Sequence, residues 1–95
     1  MKVLPQIAVT ITEQRFDIMG FKILLCKTGT TAVNIAFSLV KASQRTTDKI
    51  QIPASTTYKF TAPKGHLFYQ IFVDCDSGTS TLDVASSDID VELIG

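Results

Sequence analysis

The sequence predicts an all-β protein, an antiparallel sandwich of seven to eight short strands in the jelly-roll or immunoglobulin-like manner. Three observations carry this. Apolar and polar residues alternate with period two through most of the chain, and β-branched residues crowd the alternating runs. Gly, Pro, Asp and Ser punctuate those runs at short intervals. No window shows the i, i+3, i+4 spacing of a capped amphipathic helix, so short strands have only each other to pack against.

The elements follow in order. Ile7-Ala-Val-Thr-Ile-Thr sets Ile7, Val9 and Ile11 on one face, as a half-buried strand requires. Arg15-Phe-Asp-Ile-Met has the same rhythm and either continues that strand or pairs back on it. After Gly20, Phe21 to Cys26 is a nearly unbroken apolar run of the kind found in a central strand. Lys27-Thr-Gly-Thr is a turn. From Ala32 to Val40, Val33, Ile35, Phe37 and Leu39 are expected inward, with Asn34, Ala36 and Ser38 outward. The polar run from Lys41 to Lys49 is the most exposed loop. Ile50-Gln-Ile is a short strand that Pro53 stops or confines to an edge. Thr57 to Thr61 resumes with Tyr58 and Phe60 sharing a face, and Ala62-Pro-Lys-Gly turns the chain. His66 to Cys75 is the longest strand, with Leu67, Tyr69, Ile71, Val73 and Cys75 on one side and His66, Phe68, Gln70, Phe72 and Asp74 on the other. Asp76-Ser-Gly reads as a hairpin turn from which Ser80 to Val84 returns. After Ser86-Ser87 a last strand, Asp88 to Ile94, alternates strictly.

The 95 residues are expected to form a single domain, residues 1–95, with residues 1–20 read as an N-terminal arm or an edge hairpin. A chain of this size hides roughly 60–65% of its unfolded surface, so its core is modest. Apolar residues make up 45% of it and charged ones 19%. With a mean hydropathy of +0.25, that excess fits either a well-filled core or a surface covered in an assembly. Pro5 and Gln6 interrupt the apolar start, and Thr10-Ile-Thr-Glu-Gln-Arg reads as mature protein rather than a cleavage site. With no apolar run near the ~20 residues of a membrane helix, synthesis in a cytoplasm and no membrane partner are expected. Cys26 and Cys75 both sit in apolar runs and are expected as buried, reduced thiols.

Charge is polarised along the chain. All nine cations (Lys2, Arg15, Lys22, Lys27, Lys41, Arg45, Lys49, Lys59 and Lys64) precede His66, against only Glu13, Asp17 and Asp48. Asp74, Asp76, Asp83, Asp88, Asp90 and Glu92 follow it without a cation. If the fold keeps the two sets apart, the molecule is a dipole suited to head-to-tail contact with its own copies; if strands interleave them, the charges pair within one subunit.

Few residues point to chemistry. Asp88, Asp90 and Glu92 share one face of the last strand, which suits a solvated outer face guarding an edge, a docking strip for lysines of a neighbouring subunit, or a cation site. Asp74-Cys-Asp-Ser-Gly resembles the start of a calcium loop but lacks the further oxygen ligands and the closing Glu, and turn chemistry accounts for it. One histidine, His66, cannot build a zinc site with two separated apolar cysteines, and no Gly-x-Ser-x-Gly elbow is present for a hydrolase. Thr28-Gly-Thr-Thr lacks the Gly-Lys-Ser/Thr of a phosphate loop. Lys41, Arg45 and Lys49 could touch phosphate, but the aromatics Phe68 and Phe72 share their face with Asp74, which argues against a nucleic-acid sheet. Tyr58 and Tyr69 are the rings available to stack on a sugar.

From about Ala32 onward the order of features resembles the small β-sandwich virion proteins of tailed bacteriophages, of the capsid decoration (cement) or head accessory type. The likeness lies in Ala32-Val-Asn-Ile-Ala-Phe-Ser, Ile50-Gln-Ile-Pro-Ala-Ser-Thr-Thr-Tyr-Lys-Phe, Gly65 leading into Leu67-Phe-Tyr-Gln-Ile, and Asp76-Ser-Gly-Thr-Ser-Thr-Leu-Asp-Val. Many such proteins have Gly where this chain has Ser55-Thr56. The resemblance implies a non-enzymatic structural role without cofactor or metal. It also implies synthesis in the host cytoplasm followed by residence in the virion, a symmetric homo-oligomer (a trimer is the expected form), and docking to a major capsid or other virion protein. On the residues themselves, the expected contact between subunits is Asp88, Asp90 and Glu92 against Lys41, Arg45 and Lys49. The alternative is a ligand-binding module for a glycan or receptor, which would use Tyr58 or Tyr69.

Overall fold

Alternation decides which side chains meet. The computed structural model describes residues 2–40 and 46–87. Within them lie nine strands: β1 (Lys2–Val3), β2 (Ile7–Val9), β3 (Gln14–Phe21), β4 (Ile23–Thr28), β5 (Val33–Ser38), β6 (Ile50–Ile52), β7 (Thr57–Thr61), β8 (Phe68–Asp74) and β9 (Ser80–Ser87). They form two antiparallel sheets. In the five-stranded sheet the order is β1-β9-β4-β7, with β2 also on the free side of β9. In the four-stranded sheet it is β3-β8-β5-β6. The sheets pack as a sandwich, as the alternation predicts.

The core is the set of inward residues from both sheets. Ile7, Val9, Leu24, Cys26, Leu82 and Val84 come from one side, and Ile18, Val33, Ile35, Phe37, Ile52, Ile71 and Val73 from the other. Each buried Ile, Leu or Val contributes about 1.5–3 kcal/mol relative to exposure, so this layer carries the fold. Phe37 anchors one end, its ring centroid 4.9 Å from that of Phe60 and 4.6 Å from that of Phe68. The apolar run expected as a central strand is β4, which pairs with β7 on one side and β9 on the other.

Several connections differ from the sequence expectation. Every link except β1–β2 and β5–β6 carries the chain from one sheet to the other. The Asp76–Gly78 turn is therefore not a hairpin, because β8 and β9 lie in opposite sheets. Turn chemistry reports a reversal of the chain but not which sheet receives it. β9 runs through Ser86 and Ser87 rather than ending before them. The anticipated strand from Asp88 to Ile94 lies outside the described residues. Among the described residues up to Gly20 no two strands pair as a hairpin: β1 and β2 pair with β9, and β3 pairs with β8.

Two glycines answer to packing. Gly20 (φ 76°) lies in the irregular stretch of β3 between Asp17 and Phe21, where the register against β8 shifts. Gly29 sits so close to β9 that a Cβ there would lie 2.2 Å from Thr81 Oγ1. Its N–H donates to Thr81 O at 2.9 Å, fixing the approach.

Candidate functional site

The outward side of the four-stranded sheet is less polar and less exposed than alternation suggests. Ala36, Ser38, Gln70, Phe72 and Asp74 alternate with core residues, yet all five are buried. Register stacks them in rows: Arg15–Phe72–Ala36, then Asp17–Gln70–Ser38, then Asp74–Asn34–Gln51.

At one end of these rows a polar network forms. Asn34 Nδ2 donates to Asp74 Oδ1 at 2.9 Å and to Asp76 Oδ1 at 2.8 Å. Gln51 Nε2 donates to Asp76 Oδ2 at 3.1 Å. The Lys49 ammonium bonds Asp74 Oδ2 and lies 3.1 Å from Glu13 Oε2. Its pKa is raised, first by the hydrogen bond to Asp74, while partial burial opposes the rise. The network ties the turn before β3 to β5, β6 and the end of β8. It is a brace: Asp74 and Asp76, the carboxylates of the calcium-like sequence, are joined through the Asn34 amide, and the Lys49 ammonium ties Asp74 to Glu13. Among the described residues, no group of three or more His, Cys, Asp or Glu side chains is placed to hold a metal ion. In the next row Gln70 Nε2 donates to Asp17 Oδ1 at 2.8 Å, and Gln70 Oε1 is the buried side-chain polar atom left without a partner among the described residues.

Of the six residues expected at a subunit contact, Lys49 alone is described, and it is held by Glu13 and Asp74 of its own chain. Lys41, Arg45, Asp88, Asp90 and Glu92 lie outside the described residues. His66 is exposed after the turn that its N–H closes onto Pro63 O at 2.9 Å. Tyr58 packs on Phe60 with ring centroids 6.0 Å apart, and Tyr69 lies against Gly20, so both rings are half-buried. Cys26 and Cys75 are buried free thiols, as expected, and burial pushes the Cys26 thiol up to about 12.

A feature that sequence reasoning missed lies where the two sheets part. A groove of about 540 Å³ runs between the β1–β2 segment and β3, with Leu4, Pro5 and Ile7 on one wall and Gln14, Phe16 and Asp17 on the other. Leu4 and Phe16 are partly buried side chains resting on the core. Gln14 Nε2 reaches across to Ala8 O at 3.4 Å and covers that carbonyl of β2. Nothing local marks the groove, because its walls come from two sheets. The one sequence cue is Pro5, which separates β1 from β2 and keeps that edge short.

No helix among the described residues is long and apolar enough to cross a membrane. Comparison of the chain with family models, with curated proteins and with solved structures gave no match.

Proposed function

We propose that this protein is a non-enzymatic structural subunit that works by surface complementarity with copies of itself, serving as a capsid decoration or head accessory protein of a tailed bacteriophage. The observation that carries the reading is the open side of the sandwich. There an apolar groove lies beside the eight-residue edge strand β3, a surface suited to contact with another chain. The sequence likeness from Ala32 onward supports the virion setting. Glu13, Lys49, Asp74 and Asp76 are engaged in bracing the fold, so apolar area and strand edges supply the contact energy and the remaining charges supply orientation.

Light scattering after size exclusion, at low salt and at ~0.5 M salt, tests this reading. At the higher salt the screening length falls to about 4 Å, so rim ion pairs weaken while apolar contacts persist. A discrete oligomer is expected at both salts. Reversing charge at Asp90 under the same conditions tests the contact between the acidic strip and the basic loop, which predicts a loss of mass. A chain that stays monomeric at every concentration would overturn the structural-subunit reading and turn attention to a ligand-binding module.

A further inference from the structure

We propose that β3 is a homotypic interface: two copies pair antiparallel along residues 14–18, across a dyad at Phe16, joining their four-stranded sheets into one. The inference rests on the self-assembly reading above and names its surface.

Among the described strands, the other edges are short, interrupted by proline or centred on a lysine, whereas the first half of β3 is none of these. β1 and β2 have two and three residues, with Pro5 between them. β6 has three and runs into Pro53, and β7 has five with Lys59 at its centre. Short strands, prolines and a central lysine are the means by which edges avoid pairing. β3 has eight residues and no proline. Its irregular stretch after Asp17 confines regular pairing to its first half, where Arg15 and Asp17 are both exposed.

The backbone direction of that half follows from the ladder. Phe37 N–H donates to Thr47 Oγ1 and Phe37 O accepts from Thr46 N–H, both at 2.9 Å, so both groups point away from β8. Phe37 faces Ile71, which makes that pair non-hydrogen-bonded and turns the Ile71 groups toward β3. Ile71 faces Phe16 in turn, so Phe16 bonds inward. The N–H and C=O groups of Arg15 and Asp17 therefore point out of the sheet, at the open edge.

A dyad at Phe16 uses these groups. Arg15 falls opposite Asp17 of the second copy and Asp17 opposite its Arg15, each pair exchanging two backbone hydrogen bonds. The side chains on the outer face are then of opposite sign, where a parallel or shifted register would set like charges together. Phe16 meets Phe16 in the intervening close pair, and the two rings cover the mouths of both grooves. The surface is self-complementary in charge and in backbone, which an isologous contact requires.

The test is a concentration series by light scattering on the full chain and on Arg15→Asp, Asp17→Arg and Arg15→Pro, with circular dichroism to confirm the fold. Either charge variant alone sets like charges face to face and should weaken the dimer roughly tenfold or more. Mixed in equal amounts, the two should recover it as a heterodimer, because the wholly acidic edge of one variant then meets the wholly basic edge of the other. Arg15→Pro removes a donor aimed at solvent and should abolish pairing while the β3–β8 ladder stands. Amide exchange gives an independent readout: Arg15 and Asp17 amides should be protected at high concentration and lose protection on dilution, with Phe16 unchanged. An oligomer of unchanged mass in all three variants overturns the β3 interface and leaves the structural-subunit reading standing. A wild-type chain that is monomeric throughout overturns both.

Discussion

Ser55 holds a left-handed backbone, φ 52°, at the corner between β6 and β7. The corner is bound to β4 from both directions. Ser55 N–H donates to Gly29 O at 2.7 Å, and Thr28 Oγ1 donates to Pro53 O at 2.6 Å while accepting from Thr56 N–H at 3.1 Å. These bonds hold Ser55 where an L side chain crowds its own carbonyl, at a cost of roughly 1–2 kcal/mol. Glycine removes that cost and gives back about 0.5–1 kcal/mol in chain entropy. Ser55→Gly should therefore stabilise by about 0.5–1 kcal/mol, raising the thermal midpoint by a few degrees; an unchanged or lower midpoint would show the corner to be unstrained. Gly29 presents the opposite case. Its conformation is ordinary, but the Thr81 side chain occupies the place of a Cβ. Gly29→Ala should destabilise by about 1–3 kcal/mol in a urea titration, through displacement of β9. Nothing local in the sequence separates Gly29 from any other turn glycine.

Strands were legible wherever one face met the core and the other met water. Val33, Ile35 and Phe37 on β5, and Ile71 and Val73 on β8, are inward as their alternation predicts. The outward set on the same strands was only half legible, since Ala36, Ser38, Gln70 and Phe72 alternate with the core residues yet are buried. Alternation reports direction, whereas burial depends on what the whole fold lays against that face. The brace shows the same limit. Asn34, Gln51 and Glu13 carry no mark in the sequence; the β5–β6 and β5–β8 registers bring Asn34 and Gln51 to Asp74, and Lys49 adds Glu13. Asn34→Ala removes one amide that serves two carboxylates and leaves buried Asp74 with fewer donors. Its unfolding midpoint in urea should correspond to a loss of about 1–3 kcal/mol, and a neutral result would mean that the other partners of Asp74, Lys49 among them, suffice.

At the scale of the molecule, the polarity of charge along the chain does not survive folding among the described residues. Asp74 meets Lys49, and Asp83 stands opposite Lys27 across β4 and β9. Strand order interleaves the two sets, and strand order is what composition cannot carry. Protonation does have a global consequence at high pH. The Cys26 thiol is raised by burial from 9.0 to about 12, and the Lys49 ammonium is raised above 10.5 by its bond to Asp74. In both cases the native state keeps a proton that the unfolded chain gives up. The Cys26 part of stability is thus complete below pH 9 and falls as pH rises toward 12, by at most about 1.4 kcal/mol per unit. The Lys49 part falls only above pH 10.5 and is small, because the pair is partly open to water. Urea midpoints should drop between about pH 9 and about pH 12, and Cys26→Ala should flatten that drop; an equally steep decline in the variant would place its cause elsewhere. The sheet-to-sheet path of the chain has a consequence of another kind. β5 and β6 are the one pair of consecutive strands that hydrogen-bond to each other, and every other ladder among the described strands joins distant segments. The chain must close several large loops before any ladder repays the entropy, which sets folding on the order of milliseconds to seconds. A ribosome releasing this protein exposes β3 and the whole of β4 before β8 and β9 have been made. Nascent copies therefore spend their most vulnerable interval with unpaired edges, and crowded synthesis on one message favours exchange of strands between neighbours.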